Sequence, residues 1–231
     1  MPRPLSAPEI ARFRHRLVVA ATRHFARHGL EGLTLRGLAA ELGVSPMTPY
    51  RYFADKEAIL AAMQAHAFDR FASALERAFA SAPDPARRAQ AVGAAYTRFA
   101  LSEPAQYRLI FDLPVKDPTA DPALAAAAAR ARTTMTLYVR ELVAAGQLSG
   151  DPERIGQAAW ALMHGAVMLR LAGNFSDEDT YNAVIRAGMN ALFKGFGSKP
   201  GSLPQPPQGS ARDKARPAPK GRQPQASTKR P

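Results

Sequence analysis

The sequence predicts an all-α fold of about nine helices, arranged as a three-helix N-terminal unit followed by a larger helical body. Three observations carry this. Apolar side chains recur at helical spacing, and the two-residue alternation of a half-buried strand is missing. Ala and Leu, both good helix formers, dominate the apolar set. Ser, Asp and Pro stand where these apolar runs begin, and Gly where several of them end.

The elements follow in order. A first helix is expected over about 10–28, with Phe13, Leu17, Ala21 and Phe25 on one face and Gly29 as the residue that turns the chain out of it. A second is expected over 34–42, where Leu35, Leu38, Ala39 and Leu42 share a face and Gly43 ends the run. A short third helix follows Ser45, and a fourth runs from an Asp55 cap to about Ala80, before Pro83 and Pro85. Further helices are expected over 85–101 and 103–111, followed by a Pro- and Asp-rich loop over 113–121. Helices over 122–145 and 152–171 come next, the first stopped by Gly146 and the second capped by Asp151 with Pro152 in its first position. The last helix begins after a Ser176 cap, with Asp177, Glu178 and Asp179 at its positive end.

Charge divides the chain into three parts. Residues 1–56 carry a net +5, residues 57–197 are neutral, and residues 198–231 carry +7. A basic segment beside a neutral body suggests a polyanion-binding module joined to a body with another task. The last segment holds eight Pro and three Gly with few large apolar side chains, so it is expected to be a disordered basic tail that can brush phosphates non-specifically. The chain has no cysteine, which removes disulfides, thiolate metal sites and cysteine nucleophiles. No apolar run nears the roughly 20 residues of a membrane span, and Met1–Pro4 lacks a signal-peptide core, so a cytoplasmic protein without a membrane partner is expected. Gly-rich phosphate loops and serine-elbow patterns are absent, and an enzyme is not expected. His24 and His28 have a metal-compatible spacing but no accompanying Glu pattern, and no metal or cofactor is expected.

Residues 34–53, TLRGLAAELGVSPMTPYRYF, form a helix, a glycine, an apolar residue and a Ser-capped second segment. This is a helix-turn-helix pattern: Ala39 allows close crossing, Gly43 permits the turn, and Val44 fills the corner. Pro46, Met47, Thr48, Tyr50 and Arg51 remain outward. Thr48 suits a base edge or a phosphate, and Met47 suits a thymine methyl. Arg36, Tyr50, Tyr52 and Lys56 suit phosphate oxygens.

The wider window, FARHGLEGLTLRGLAAELGV followed by SPMTPYRYFADKEAIL, resembles the N-terminal domain of TetR-family repressors, notably in Tyr50-Arg51-Tyr52-Phe53 followed by Asp55-Lys56-Glu57. The resemblance implies a helix-turn-helix domain at 10–56, joined by the helix over 55–80 to a ligand-binding and dimerisation body at 57–197. It also implies DNA contacts at Arg36, Pro46, Met47, Thr48, Tyr50, Arg51, Tyr52 and Lys56, and repression released by a small effector. One departure stands out, since the family usually has Leu where this chain has Pro49. Proline removes an N–H and disfavours helical dihedrals at Thr48, so the reading helix either begins later or opens with a distorted turn.

In the body, the helix over 152–171 has two apolar stripes. One holds Trp160, His164, Val167 and Leu171, and the other Ile155, Ala159, Leu162, Ala166 and Leu169. Two apolar stripes need two covers, and a partner subunit supplies the second, with Gly165 and Ala166 permitting close approach. Leu162, Gly165, Ala166, Leu169, Met189, Leu192, Phe193 and Phe196 are the expected homodimer interface. Trp160–Gly165 also resembles a Trp/His-Gly element in a subgroup of TetR-like C-terminal domains. Tyr96, Phe99, Tyr107, Phe111, Met135, Tyr138, Trp160, His164 and Met168 are the candidates to line an effector pocket, with Tyr138 and His164 as its polar groups. The expected partners are therefore double-stranded DNA, a mostly apolar effector and a second copy. Two other functions fit the residues: a non-specific nucleic-acid binder driven by the tail, or a helical small-molecule-binding protein without an operator.

Overall fold

Carboxylate caps start most of the helices. The computed structural model describes residues 6–113 and 121–197, so the expected tail and nearly all of the 113–121 loop lie outside the described residues. Helix α1 spans Ala7–Gly32, with the Ser6 N–H and hydroxyl both donating to Glu9. It breaks at Gly29 (φ 67°, ψ −172°), and one further helical turn follows, so the helix extends beyond the expected 10–28 at both ends. Thr34 caps α2 (Leu35–Glu41), its hydroxyl accepting the Gly37 N–H at 3.0 Å. That helix ends in a left-handed Gly43 (φ 65°), with the Gly43 and Val44 N–H groups returning to the Ala40 and Ala39 carbonyls.

The short third helix expected after Ser45 is corrected to a single 3-10 turn, Pro49–Arg51. Proline at 49 has no N–H to offer the Ser45 carbonyl, which accepts from Thr48 instead at 2.8 Å. The Pro49 carbonyl then takes both the Tyr52 and Phe53 N–H groups at 3.0 Å, and the segment is spent within one turn. Pro49 itself is buried, keeping the apolar contact that the position needs.

Asp55 caps α3 (Lys56–Ala80), accepting the Ala58 N–H at 2.8 Å. An Asp cap followed by Pro in the first position opens three more helices: α4 (Pro85–Ser102), α6 (Pro122–Ala144) and α7 (Pro152–Leu171). Between them lies α5 (Pro104–Phe111). For α8 (Glu178–Gly197) the cap is Asp177, which accepts the Thr180 N–H at 2.7 Å, so the expected Ser176 cap is displaced by one residue. Ser176 instead donates its hydroxyl to the Asp177 carboxylate, and these bonds hold that carboxyl below its ordinary range. Eight α-helices and one 3-10 turn make up the regular structure of the described residues, which contain no strand.

Helix α3 is the axis of the fold, packing against α1, α4, α5 and α6. Its apolar side carries Ile59, Met63, Phe71 and Leu75, all fully buried. Gln64, buried on the same helix, donates to the Leu109 and Leu113 carbonyls at 3.0 and 3.2 Å and so satisfies groups at the end of α5. Arg130 of α6 clamps Glu76 and Ser73 of α3, and Arg88 of α4 makes a two-pronged pair with Glu141 of α6 at 2.9 Å. Small residues set the later crossings: a Cβ at Gly156 would lie 2.8 Å from Thr136, and one at Gly188 would lie 2.6 Å from Leu162.

Candidate nucleic-acid interface and internal cavity

The segment between α2 and α3 closes its own backbone bonds in short turns, and side-chain contacts fix where those turns sit. Phe53 is buried at its end, and Pro49 in its middle. From α1, Arg14 donates to the Tyr52 carbonyl at 2.7 Å and lays its guanidinium 4.2 Å from the Phe53 ring centre. Phe13 of the same helix meets the Tyr52 ring at 4.7 Å. Arg14 and Phe13 escape sequence reading as positioning residues, because only the fold brings α1 to the turn.

Held this way, the turn presents Pro46, Met47, Tyr50 and Arg51 outward, with Met47 64 % exposed. Thr48 and Tyr52 are half-buried. Arg36 is exposed on α2. Lys56 is half-buried and donates to the Leu30 carbonyl at 2.5 Å, beyond the break in α1. Seven of the eight expected DNA-contact residues thus fall on the turn or at the start of α3, while Arg36 stands in the first turn of α2. Nearby, His24 is taken up by the Gly32 carbonyl at 3.1 Å and by Glu41 at 3.4 Å.

The second candidate site lies among α3, α4, α6 and α7. A cavity of about 30 Å³ is lined by Leu75, Val92, Gly93, Tyr96, Met135, Tyr138, Ala159, Trp160 and Met163. Four of the nine expected pocket residues line it: Tyr96, Met135, Tyr138 and Trp160. Phe99, Tyr107, Phe111, His164 and Met168 are not on its wall. Four of those five build the aromatic packing behind it, since Phe71 meets Phe99 and Phe111, and Tyr107 and Phe111 both meet His164. Leu75, Val92, Gly93, Ala159 and Met163 were not anticipated. They carry no chemistry that singles them out, although a glycine inside the Ala-rich α4 is a signal.

A three-member polar chain crosses this packing. The Tyr96 and Tyr107 hydroxyls lie 2.7 Å apart, and Tyr107 is 2.7 Å from His164 Nδ1. Burial drives both phenols well above their ordinary range, which keeps them neutral. Burial lowers His164, against the opposing charge of Asp112, so the imidazole is neutral at pH 7 as well. The chain can therefore pass hydrogen-bond polarity without holding a charge.

Of the expected interface residues, Leu169 is half-exposed, and Leu162 packs over Gly188 of its own chain. Ala166 is buried within the protomer, and Gly165 has open space beside it. Met189, Phe193 and Phe196 are partly buried against the core, and Leu192 is half-buried. Val184 and Trp160 add to the exposed apolar surface of α7 and α8. No helix among the described residues is long and apolar enough to cross a membrane.

A helix, a glycine turn and an exposed second segment, mounted on a long helix that leads into a cavity-bearing body, define a helix-turn-helix DNA-binding regulator. Residues 17–63 match the family model for bacterial regulatory proteins of the tetR family, and residues 89–192 match the tetracyclin repressor-like C-terminal domain. The chain belongs to the TetR family of transcriptional regulators. A protein of unknown function from Rhodococcus sp. RHA1 is 32 % identical, with a TM-score of 0.70 over 80 % of this chain and 95 % of its own. A tetR-family regulatory protein from Rhodococcus RHA1 shares the fold at 21 % identity, with a TM-score of 0.63 over 80 % of this chain and 97 % of its own. The TetR-family regulator PfmR from Thermus thermophilus does so at 20 % identity, with a TM-score of 0.59 over 78 % and 97 %. None of the curated proteins matches the chain significantly.

Proposed function

We propose that this protein is a cytoplasmic repressor that binds a near-palindromic operator as a homodimer and leaves it when a small, mostly apolar effector enters the body. Residues 10–56 act as the reader and residues 57–197 as the effector-binding and dimerising body. The observation that carries this reading is the continuity of α3. It starts at Lys56 beside the exposed turn and supplies Leu75 to the cavity wall. An effector acts only through its differential affinity for two arrangements, and a helix shared by both sites lets one bias the other.

In the reader, Met47 and Thr48 face base edges, while Arg36, Tyr50, Arg51, Tyr52 and Lys56 engage the backbone beside Pro46. The partner covers the apolar surface of α7 and α8 around Gly165 and Leu169. Selection from random duplexes with the full chain at physiological salt tests the reading. Enrichment of a two-fold site with half-sites about 34–36 Å apart, or a multiple of that, is expected. Affinity that follows DNA length without any enriched site would overturn it in favour of tail-driven binding, and a folded protein that binds no duplex would leave a small-molecule binder.

A further inference from the structure

The cavity combines a notch, an unpaired hydroxyl and movable walls. The notch is Gly93. A glycine inside a helix costs roughly 1 kcal/mol relative to alanine, yet a Cβ here would meet nothing within 4 Å. No neighbouring side chain or backbone uses the space that the missing methyl leaves, so close packing does not account for this glycine, and Gly93 itself lines the cavity.

The hydroxyl is that of Tyr138. The residue is only 8 % exposed, and its oxygen has no hydrogen-bond partner among the described residues. Among the described residues the fully enclosed unpaired side-chain atoms are Gln106 Oε1 and the Tyr181 hydroxyl, so the Tyr138 oxygen keeps accessible surface while its ring is buried. A hydroxyl that keeps accessible surface at the edge of a buried ring can be satisfied by water, and a guest that offers a hydrogen bond can take that water's place. Burial also pushes Tyr138 up to about 12, so it is a neutral donor and acceptor. Tyr96 beside it is already engaged with Tyr107.

The movable walls are Met135, Met163 and the partly exposed Trp160. Unbranched thioethers re-pack readily around a guest. At about 30 Å³ the cavity as it stands holds no more than about two waters, so a guest must displace these walls. No charged side chain lines it.

We propose that this cavity takes a neutral one-ring aromatic molecule bearing a single hydroxyl or carbonyl oxygen, its ring seated toward the Gly93 notch and its oxygen paired with Tyr138. This rests on the regulator reading above and names the chemistry of its effector. Titration calorimetry on the full chain without DNA tests it with p-cresol, toluene and benzoate. p-Cresol should bind at least tenfold more tightly than toluene, and benzoate should bind weakest because nothing in the wall neutralises a carboxylate. Tyr138→Phe keeps the ring and should bring p-cresol down to the level of toluene. Gly93→Leu, also a good helix former, should abolish binding of both while circular dichroism stays unchanged. The proposal is overturned if wild-type protein binds neither aromatic, if benzoate matches p-cresol, or if Tyr138→Phe leaves p-cresol affinity unaltered. Because no DNA is present, these outcomes stand apart from operator selection, whose failure would instead overturn the regulator reading.

Discussion

The reader turn and the cavity each contain one residue that opposes helix formation, and the two fail in opposite ways. Pro49 deletes a donor while keeping bulk, so the turn loses a backbone bond but retains its buried contact. Gly93 keeps its backbone bonds while deleting bulk, so α4 stays regular and a space opens beside it. In the reader, shape is surrendered and recovered through Arg14 and Phe13 of α1 and through the burial of Phe53 at the segment's own end. In the body, shape is kept and volume is surrendered. In the proposed function, these two residues that conflict with their local structure mark the two places where the molecule meets something else.

The strongest way to break the comparison is to remove the buried anchor of the reader. Phe53→Ala should cost about 3–5 kcal/mol of unfolding free energy, measured by urea titration, because it empties a fully packed site. Operator binding should fall with it. A loss under about 1 kcal/mol would mean that the turn holds itself.

A paired substitution sharpens the comparison. Pro49→Leu restores an N–H to the Ser45 carbonyl and should lengthen the turn into an α-helix, visible as added far-ultraviolet helical signal and an altered operator preference. Gly93→Ala should stabilise the protein by up to about 1 kcal/mol, since its methyl enters open space and helps the helix. If Gly93→Ala destabilised the protein, the notch would be a packing requirement.

The smallest effect concerns the seam between the two regions. His66 of α3 meets His15 of α1 with ring centres 5.2 Å apart. Burial holds His66 below its ordinary 6.5, helped by His15 and Arg70 and opposed by Asp69. The unfolded chain therefore takes up the proton first as pH falls. Stability from this group is complete above 6.5 and is lost as pH drops from there through the lower folded value. A urea midpoint that falls on acidification in wild type, and falls less in His66→Gln, is the expected result. Identical profiles would remove His66 from the account.

Much of the fold was legible because its signals are local. Asp55 and Asp151 cap as their positions suggest, and Gly29, Gly43 and Gly146 take positive φ where helices end or break. The consequence of Pro49 was half legible: proline chemistry foretells a lost bond, but not that the remaining carbonyls close the segment within one turn. Tyr138 and Trp160 were found as cavity residues because a polar or large aromatic group in an apolar helix stands out. Leu75, Val92 and Ala159 were not, because an aliphatic residue on a cavity wall is written like one in the core. Arg14 was hidden for another reason, since its role depends on a contact between helices far apart in the chain.

Helix α3 has one further property, that of a lever. From Leu75 to Lys56 it runs roughly 28 Å at 1.5 Å per residue. A tilt of about 4° at the cavity end would carry the far end by about 2 Å. In a two-fold pair the displacements are mirrored, so reader separation would change by about 4 Å against a groove repeat of about 34–36 Å. In the proposed dimer, a guest that tilts α3 by only a few degrees would be enough for two readers to fall out of step with the double helix.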